Sequence, residues 1–360
     1  MPLDLLPHHG VRGFLETAER ERLSRHAALS ADARRDRPED DGDARTPFQR
    51  DRDRILHTKA FRRLKHKTQV FIAPEGDHYR TRLTHTLEVT QIARTVARAL
   101  RLNEDLVEAI GLGHDLGHAP FGHAGETALS HALGYAFRHN EQSRRIVEVL
   151  ERGGAGLNLC VEVREGIALH SKGRKDIAAT AWGTASTLEG QIIKLADSIA
   201  YINHDIDDAL RAGLLDARDL PLAALETLGA THSARINTMV SDLIDNNWWA
   251  TGEDEPPAEA VFGMSPAILE ATNMLREFMF ARVYLASPTA DQDSRVRFVI
   301  ERLFEHFTSH PDAVPADLRA IAERRGDSHM SAVVDYIAGM TDRYALKIFN
   351  AIYVPRTWSG

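Results

Sequence analysis

The sequence predicts an all-α protein. Apolar residues recur at helical spacing along most of the chain, and alternating β-branched runs of useful length are absent. Helix start signals punctuate the pattern, the clearest being Asn103 followed by Glu104 and Asp105. The 360 residues are 43% hydrophobic and 27% charged, ordinary proportions that allow one large domain or two smaller ones. A net charge of −8 means that the surface as a whole is no nucleic-acid footprint. The single cysteine, Cys160, excludes an intrachain disulfide and a thiolate-rich metal site, and it fits a reducing compartment. The opening MPLDLLPHHGVRGFLE lacks a signal-peptide pattern, and no run is apolar enough to span a bilayer. The expected location is therefore the cytoplasm, away from membranes.

In chain order, residues 31–46 carry mixed charge without apolar periodicity and read as a mobile arm. From Phe48 the chain turns Arg-dense, and those arginines either bind phosphates or form a solvated face, the ordinary reading of a charge run. A helix is predicted from about Leu83 to Leu100, with Val89, Ile92 and Val96 at core spacing. The next helix, capped by Asn103, runs to Gly117 and carries His114 and Asp115 in its last turn. Gly117, Pro120, Gly122 and Gly125 then demand an irregular loop. Residues 152–189, with a short helical piece near 161–170, read as a lid or specificity loop. Further helices are predicted over 189–212, 265–285, 293–308 and 331–350, with an acidic linker at 251–258. The resulting organisation is an N-terminal segment (1–46), a catalytic core (47–250) and a C-terminal helical region packed on it (251–360).

Four residues stand out: His85, the pair His114-Asp115, and Asp197. Two imidazoles and two carboxylates form a mixed nitrogen and oxygen ligand set for one divalent metal, suited to Mn, Fe, Co, Ni or Mg rather than a structural zinc. On the 189–212 helix, Asp197, Tyr201, Asp205 and Asp208 fall within a sector of about 80°, opposite Ile192, Leu195, Ile199, Ile202, Ile206 and Leu210. Taken alone, that acidic face is as readily a solvated surface as a site. His118 and His123 follow the HD pair, and Glu126 shares a helical face with His123 if a helix restarts there. A carboxylate beside an imidazole fixes its tautomer and raises its basicity, as general acid/base chemistry requires. His139 adds another imidazole downstream.

The segments RTRLTHTLEV (81–90), HDLGHAPFGHAGE (114–126), HNEQS (139–143) and LADSIAYINHDIDD (195–208) resemble the HD-domain deoxynucleoside triphosphate triphosphohydrolases, the dGTPase family, in its shorter bacterial form. RDRILHTKAFRRLKHKTQVF (52–71) and GLNLCVEVREGIALH (156–170) resemble it too, and the likeness covers roughly 45–285. The resemblance implies a helical HD-domain metal-dependent phosphohydrolase that cleaves a dNTP, dGTP among the candidates, to deoxynucleoside and inorganic triphosphate by attack at the α-phosphate. It implies His85, His114, Asp115 and Asp197 as metal ligands. His118, His123, Glu126 and His139 match the polar residues around the α-phosphate, with His123 and Glu126 as the catalytic pair. Arg82 matches a phosphate-binding arginine, Gln69 and Asp205 the groups on the sugar 3′-OH, and Tyr201 the aromatic beneath C2′. One departure concerns the triphosphate: a relative carries a phosphate-binding lysine directly after the last ligand, where this chain has Ser198. Lys194 or arginines of 50–64 are the expected substitutes. The resemblance also implies a homo-oligomer.

Two other readings use the same residues. One keeps the metal and changes the substrate, as in a nucleoside monophosphate phosphatase or another HD phosphohydrolase. The other is a regulatory protein that binds single-stranded nucleic acid through the basic 50–63 segment, with Phe48 and Phe61 as the only interleaved aromatics.

Overall fold

The computed structural model describes residues 8–39, 44–69, 80–171, 183–256, 261–284 and 287–355. Among them the regular structure is helical throughout, apart from one isolated antiparallel bridge between Thr68 and Thr81. The helices are α1 (His8–Arg22), α2 (Pro47–Leu56), α3 (Lys59–Arg63), α4 (Arg82–Ala99), α5 (Glu104–Gly113), α6 (Gly122–Leu133), α7 (His139–Arg145), α8 (Glu151–Gly154) and α9 (Val161–Leu169). They continue with α10 (Leu188–Arg211), α11 (Leu222–Leu228), α12 (His232–Asn246), α13 (Pro266–Met279), α14 (Ser287–Ser309), α15 (Ala316–Arg325), α16 (His329–Ala338) and α17 (Asp342–Tyr353). No helix among the described residues is long and apolar enough to cross a membrane.

Two compact units interleave in sequence and cross the linear boundaries at 46 and 250. The first comprises Met1–His57, Thr86–His114 and Leu157–Val283; the second comprises Thr58–His85, Asp115–Gly156 and Tyr284–Gly360.

In the first unit α5 is the hub, packed by α2, α9 and α10. Asn103 caps it as expected, its side chain accepting from the amides of Asp105 and Leu106. Leu106, Val107 and Ile110 are fully buried, each worth about 1.5–3 kcal/mol. Gly166 allows α9 to approach: a β-carbon there would lie 2.4 Å from Cδ1 of Ile110. The helix ends at Gly113, so His114 and Asp115 fall in the turn just after it rather than inside its last turn.

Residues 31–39 are anchored rather than loose. Arg34 pairs with Glu162, Arg35 with the buried Asp51, and Glu39 receives both Arg50 and Arg54. Arg52 joins Asp53 and Glu108. The arginines of α2 are thus committed to carboxylates of their own unit. These three form neither a solvated face nor a reserve of phosphate ligands, whereas Arg62 and Arg63 of α3 are exposed, as the solvated-face reading expects.

Glu189 enters α10 fully buried, accepting from the amides of Ala28 and Asn103. Desolvation pushes its pKa up to about 7, against those hydrogen bonds. The folded-state pKa lies above the unfolded one. Its contribution to stability is therefore complete below about pH 4.5 and is lost as pH rises through about 7. Glu189→Gln is expected to flatten the decline of Tm over that interval, by the equivalent of a few kcal/mol. Thermal unfolding of both proteins from pH 5 to pH 8 checks this; parallel curves would contradict it.

The second unit is built on α14, which packs against α6, α16 and α17. Phe121, Leu129, Ile300, Leu303, Val333 and Ile337 share its core. The single helix expected over 331–350 is two helices: α16 ends at Ala338, and Thr341 caps α17 by accepting from the Tyr344 amide. Of the expected lid, residues 172–182 lie outside the described ones, while 161–169 form α9.

Candidate metal centre and histidine cluster

His85 lies in the first turn of α4, with its Nε2 3.7 Å from Asp115 Oδ2. His114, the covalent neighbour of Asp115, completes a buried group whose ligand atoms all lie within 4.8 Å of one another. The Nδ1 of His114 sits 2.6 Å from the Gly111 carbonyl, which assigns the proton to Nδ1 and leaves the Nε2 lone pair for a metal. Two imidazoles and a carboxylate fit a borderline to hard divalent cation.

Arg82 binds the same carboxylate, Nη1 donating to Asp115 Oδ2 at 2.8 Å. Its side chain is buried, yet neither Nε nor Nη2 has a hydrogen-bond partner among the described residues, and neither does Oε1 of the buried Gln69. Each unsatisfied buried group costs about 1–3 kcal/mol, so donors kept in this state point to a ligand with acceptor oxygens. Gly122, at φ +59°, lies against both residues: a β-carbon would come within 3.1 Å of Arg82 Nη2 and of the Gln69 carbonyl.

The imidazoles gather around Glu126, with partners that differ from the expected pair. Oε1 of Glu126 lies 2.5 Å from His118 Nδ1 and 3.0 Å from His139 Nδ1. His123 Nδ1 is 4.0 Å from Glu126, and the side chain is 60% exposed. The carboxylate therefore orients His118 and His139 first, and His123 stands at the rim. The rings of His118 and His139 stack at 3.9 Å, and His118 Nε2 reaches Asp115 Oδ1 at 3.1 Å.

Stacked imidazoles cannot both carry charge comfortably, and their environments divide the labour. Burial, Arg82 and His139 lower the pKa of His118. Burial also opposes charge on His139, but Glu126 and Asp115 outweigh it and raise that pKa. Glu126 is held well below the usual carboxylate range despite desolvation, by His139 and His118. Desolvation, joined by His118 and Arg82, depresses His123 to about 4, although its exposure lets solvent screen part of that effect.

Two glycines permit the crowding. A β-carbon on Gly117 would lie 2.2 Å from the Ser143 amide nitrogen and 2.3 Å from the His139 carbonyl, so only glycine lets α7 bring His139 in. On Gly125 it would lie 1.9 Å from the Pro120 carbonyl.

In the first unit, α10 carries Asp197, Tyr201 and Asp205 on one face. Asp197 and Tyr201 are half-buried, and Asp205 and Asp208 are buried, so this is not a solvated acidic face. Ser198 Oγ donates to the Lys194 carbonyl and brings no charge beside Asp197.

Three residues escaped the sequence reading. His170 is buried beside His114, ring centroids 5.0 Å apart, and closes the quoted VEVREGIALH segment. Lys67, hidden in a basic run, is buried and donates to the carbonyls of His118 and Ala338; desolvation takes its pKa down to about 7. Asp342 receives hydrogen bonds from Thr68 and Phe121. Phe48 and Phe61, the aromatics of the nucleic-acid reading, are both buried and offer no base-stacking surface.

Residues 82–202 match the HD domain, and residues 262–351 match a phosphohydrolase-associated domain. The chain is 54% identical over 349 residues to a deoxyguanosinetriphosphate triphosphohydrolase-like protein of Caldanaerobacter subterraneus, covering 97% of each. Relatives of the same description follow from Clostridium perfringens, 46% identical over 96% of this chain and 98% of the relative, and from Desulfatibacillum aliphaticivorans, 45% identical at the same coverages.

Proposed function

Because the chain belongs to the deoxyguanosinetriphosphate triphosphohydrolase-like family of HD-domain phosphohydrolases, we propose that it hydrolyses a dNTP to deoxynucleoside and inorganic triphosphate. The observation that carries this reading is Arg82. Its two partnerless nitrogens lie in a buried setting where Asp115 meets His118, whose other ring nitrogen faces Glu126. That is a place for a phosphate between a cation and an acid/base pair.

His85, His114, Asp115 and, in this reading, Asp197 hold one divalent cation, with Mn, Mg, Fe, Co and Ni as candidates. When bound, such a cation polarises a phosphoryl oxygen and makes water a better nucleophile at neutral pH. The chain's own residues do the rest. Arg82 donates to a non-bridging oxygen and stabilises charge that grows there in the transition state. Water oxygen bonds to the α-phosphorus, the bond from phosphorus to the 5′-oxygen breaks, and that oxygen takes a proton. His139, whose charged form Glu126 favours, supplies positive charge or that proton. His118, whose charged form burial disfavours, is the acceptor, and His123 contacts the substrate from the rim.

Gln69 and Asp205 hold the sugar 3′-OH, and Tyr201 packs beneath C2′. Along α10, Tyr201 rises about 6 Å from Asp197 and Asp205 about 12 Å, a spacing that matches phosphate, ring and 3′-hydroxyl in turn. A ribose 2′-OH placed against Tyr201 would clash and lose its hydrogen bonds.

Incubation with each dNTP and each rNTP in Mn²⁺ or Mg²⁺, followed by product analysis, tests the reading. Triphosphate is expected from dNTPs, with kcat/KM for rNTPs at least about tenfold lower, in keeping with an unpaired buried hydroxyl. Tyr201→Ala should narrow the gap. Orthophosphate as the product would move the chain to another HD phosphohydrolase activity. Equal hydrolysis of dGTP and GTP would remove Tyr201 as the gate.

A further inference from the structure

We infer that Asp342, at the start of α17, is a positioning residue for the histidine cluster. The inference rests on the phosphohydrolase reading above but concerns a part of the chain that this reading does not use.

Asp342 is buried, and its carboxylate accepts three hydrogen bonds from two separate segments. Oδ2 receives the Thr68 amide at 2.8 Å and the Thr68 hydroxyl at 2.5 Å; Oδ1 receives the Phe121 amide at 2.8 Å. Each segment leads directly into the site. Thr68 sits between Lys67 and Gln69 and bridges to Thr81, the residue before Arg82. Phe121 precedes α6, which carries His123 and Glu126.

Phe121 explains why the carboxylate is needed. Its backbone is left-handed, φ 65° and ψ 22°, a conformation disfavoured for any residue with a β-carbon. Glycine would adopt it freely, but the Phe121 ring fills the core of this unit and is buried. The strain therefore stays, and a charge-assisted bond to the Phe121 amide holds the turn that launches α6.

Lys67 makes a second tie between the same parts. Its ammonium group donates to the His118 carbonyl and to that of Ala338, the last residue of α16. The Ala338–Asp342 turn thus grips the Lys67–Thr68 segment directly. Through Lys67 and Asp342 it grips the 118–121 loop at both ends. The break between α16 and α17 is what places Asp342 there. In this way the region matching the phosphohydrolase-associated domain sets the geometry of His118 and Glu126 without touching substrate.

The test uses the full-length protein. Asp342→Asn keeps the volume but replaces one acceptor oxygen with a donor that faces N–H or O–H groups. At a temperature well below unfolding, kcat for dGTP is expected to fall about 10- to 100-fold, the scale of a misplaced catalytic group. KM is expected to change by less than about threefold, because the loss falls on the transition state. Bound Mn²⁺ should stay at the wild-type level. Ile337→Val, a core change in the neighbouring helix, gives the comparison for general destabilisation and should keep its kcat. Thr68→Val removes one donor of the three and should lose severalfold in kcat; it carries the test if Asp342→Asn does not fold. An unchanged kcat in the variant that carries the test overturns the inference. So does a loss no greater than that of Ile337→Val at matched Tm.

If the wild type cleaves no dNTP, the function reading fails, and the inference is then read from hydrogen exchange in residues 117–124. Faster exchange there in Asp342→Asn than in wild type supports it, and unchanged exchange overturns it.

Discussion

Asp115→Asn is expected to lose turnover by about 10³-fold or more, together with its divalent metal. One oxygen pair serves three partners: Oδ2 takes Arg82 at 2.8 Å and faces His85 Nε2 at 3.7 Å, while Oδ1 meets His118 Nε2 at 3.1 Å. The substitution removes the anionic member of the buried ligand group. A cation's several kcal/mol of transition-state stabilisation goes with it, and each 1.36 kcal/mol is about tenfold in rate. It also leaves the buried Arg82 charge without its counter-ion. Removing one partner of such a pair costs about 3–5 kcal/mol, less here because the amide oxygen still accepts a hydrogen bond. Metal content, Tm and kcat should therefore fall together. A variant with full metal content and normal kcat would overturn the ligand assignment.

Glu126→Gln is expected to lower kcat by about 10²- to 10⁴-fold, the range for a positioned proton donor or acceptor, with metal still bound. The reason is its double contact: one carboxylate oxygen faces both His118 Nδ1 and His139 Nδ1. A neutral amide cannot hold His139 protonated, and Glu126 is what raises that pKa against burial. If charged His139 is required, the rate falls as pH rises through its pKa. In the variant that fall moves to lower pH. His123→Ala should cost less, because His123 stands 4.0 Å from the carboxylate and is largely exposed. A pH–rate profile for the three proteins checks the ranking. A larger loss in His123→Ala would return the catalytic pairing to His123 and Glu126.

That reversal of partners marks where sequence stops being informative. Spacing along one helix joined Glu126 to His123 three residues before it, which is local geometry. His139 lies thirteen residues beyond Glu126 and arrives only because Gly117 admits α7 at close range. Local signals fared well: α4, the Asn103 cap and the buried isoleucines of α10 follow from helical period and capping chemistry. Residues 31–39 looked unanchored because their partners, Asp51 and Glu162, are distant in sequence. The apolar pattern over 331–350 runs on across the break, although Gly339 and Thr341 mark it. Lys67 and Asp342 carry no local signal of a role, since each acts on segments far along the chain. The gathering of His85, His114 and Asp115 into one group able to hold a metal was legible because His114 and Asp115 are neighbours and His85 opens a regular helix.

Hydrolysis of dGTP in ¹⁸O-labelled water tests the central claim most directly. Attack at the α-phosphorus, with cleavage of its bond to the 5′-oxygen, places one ¹⁸O in the inorganic triphosphate and none in deoxyguanosine. Label in the nucleoside, or release of orthophosphate in place of triphosphate, would contradict the account.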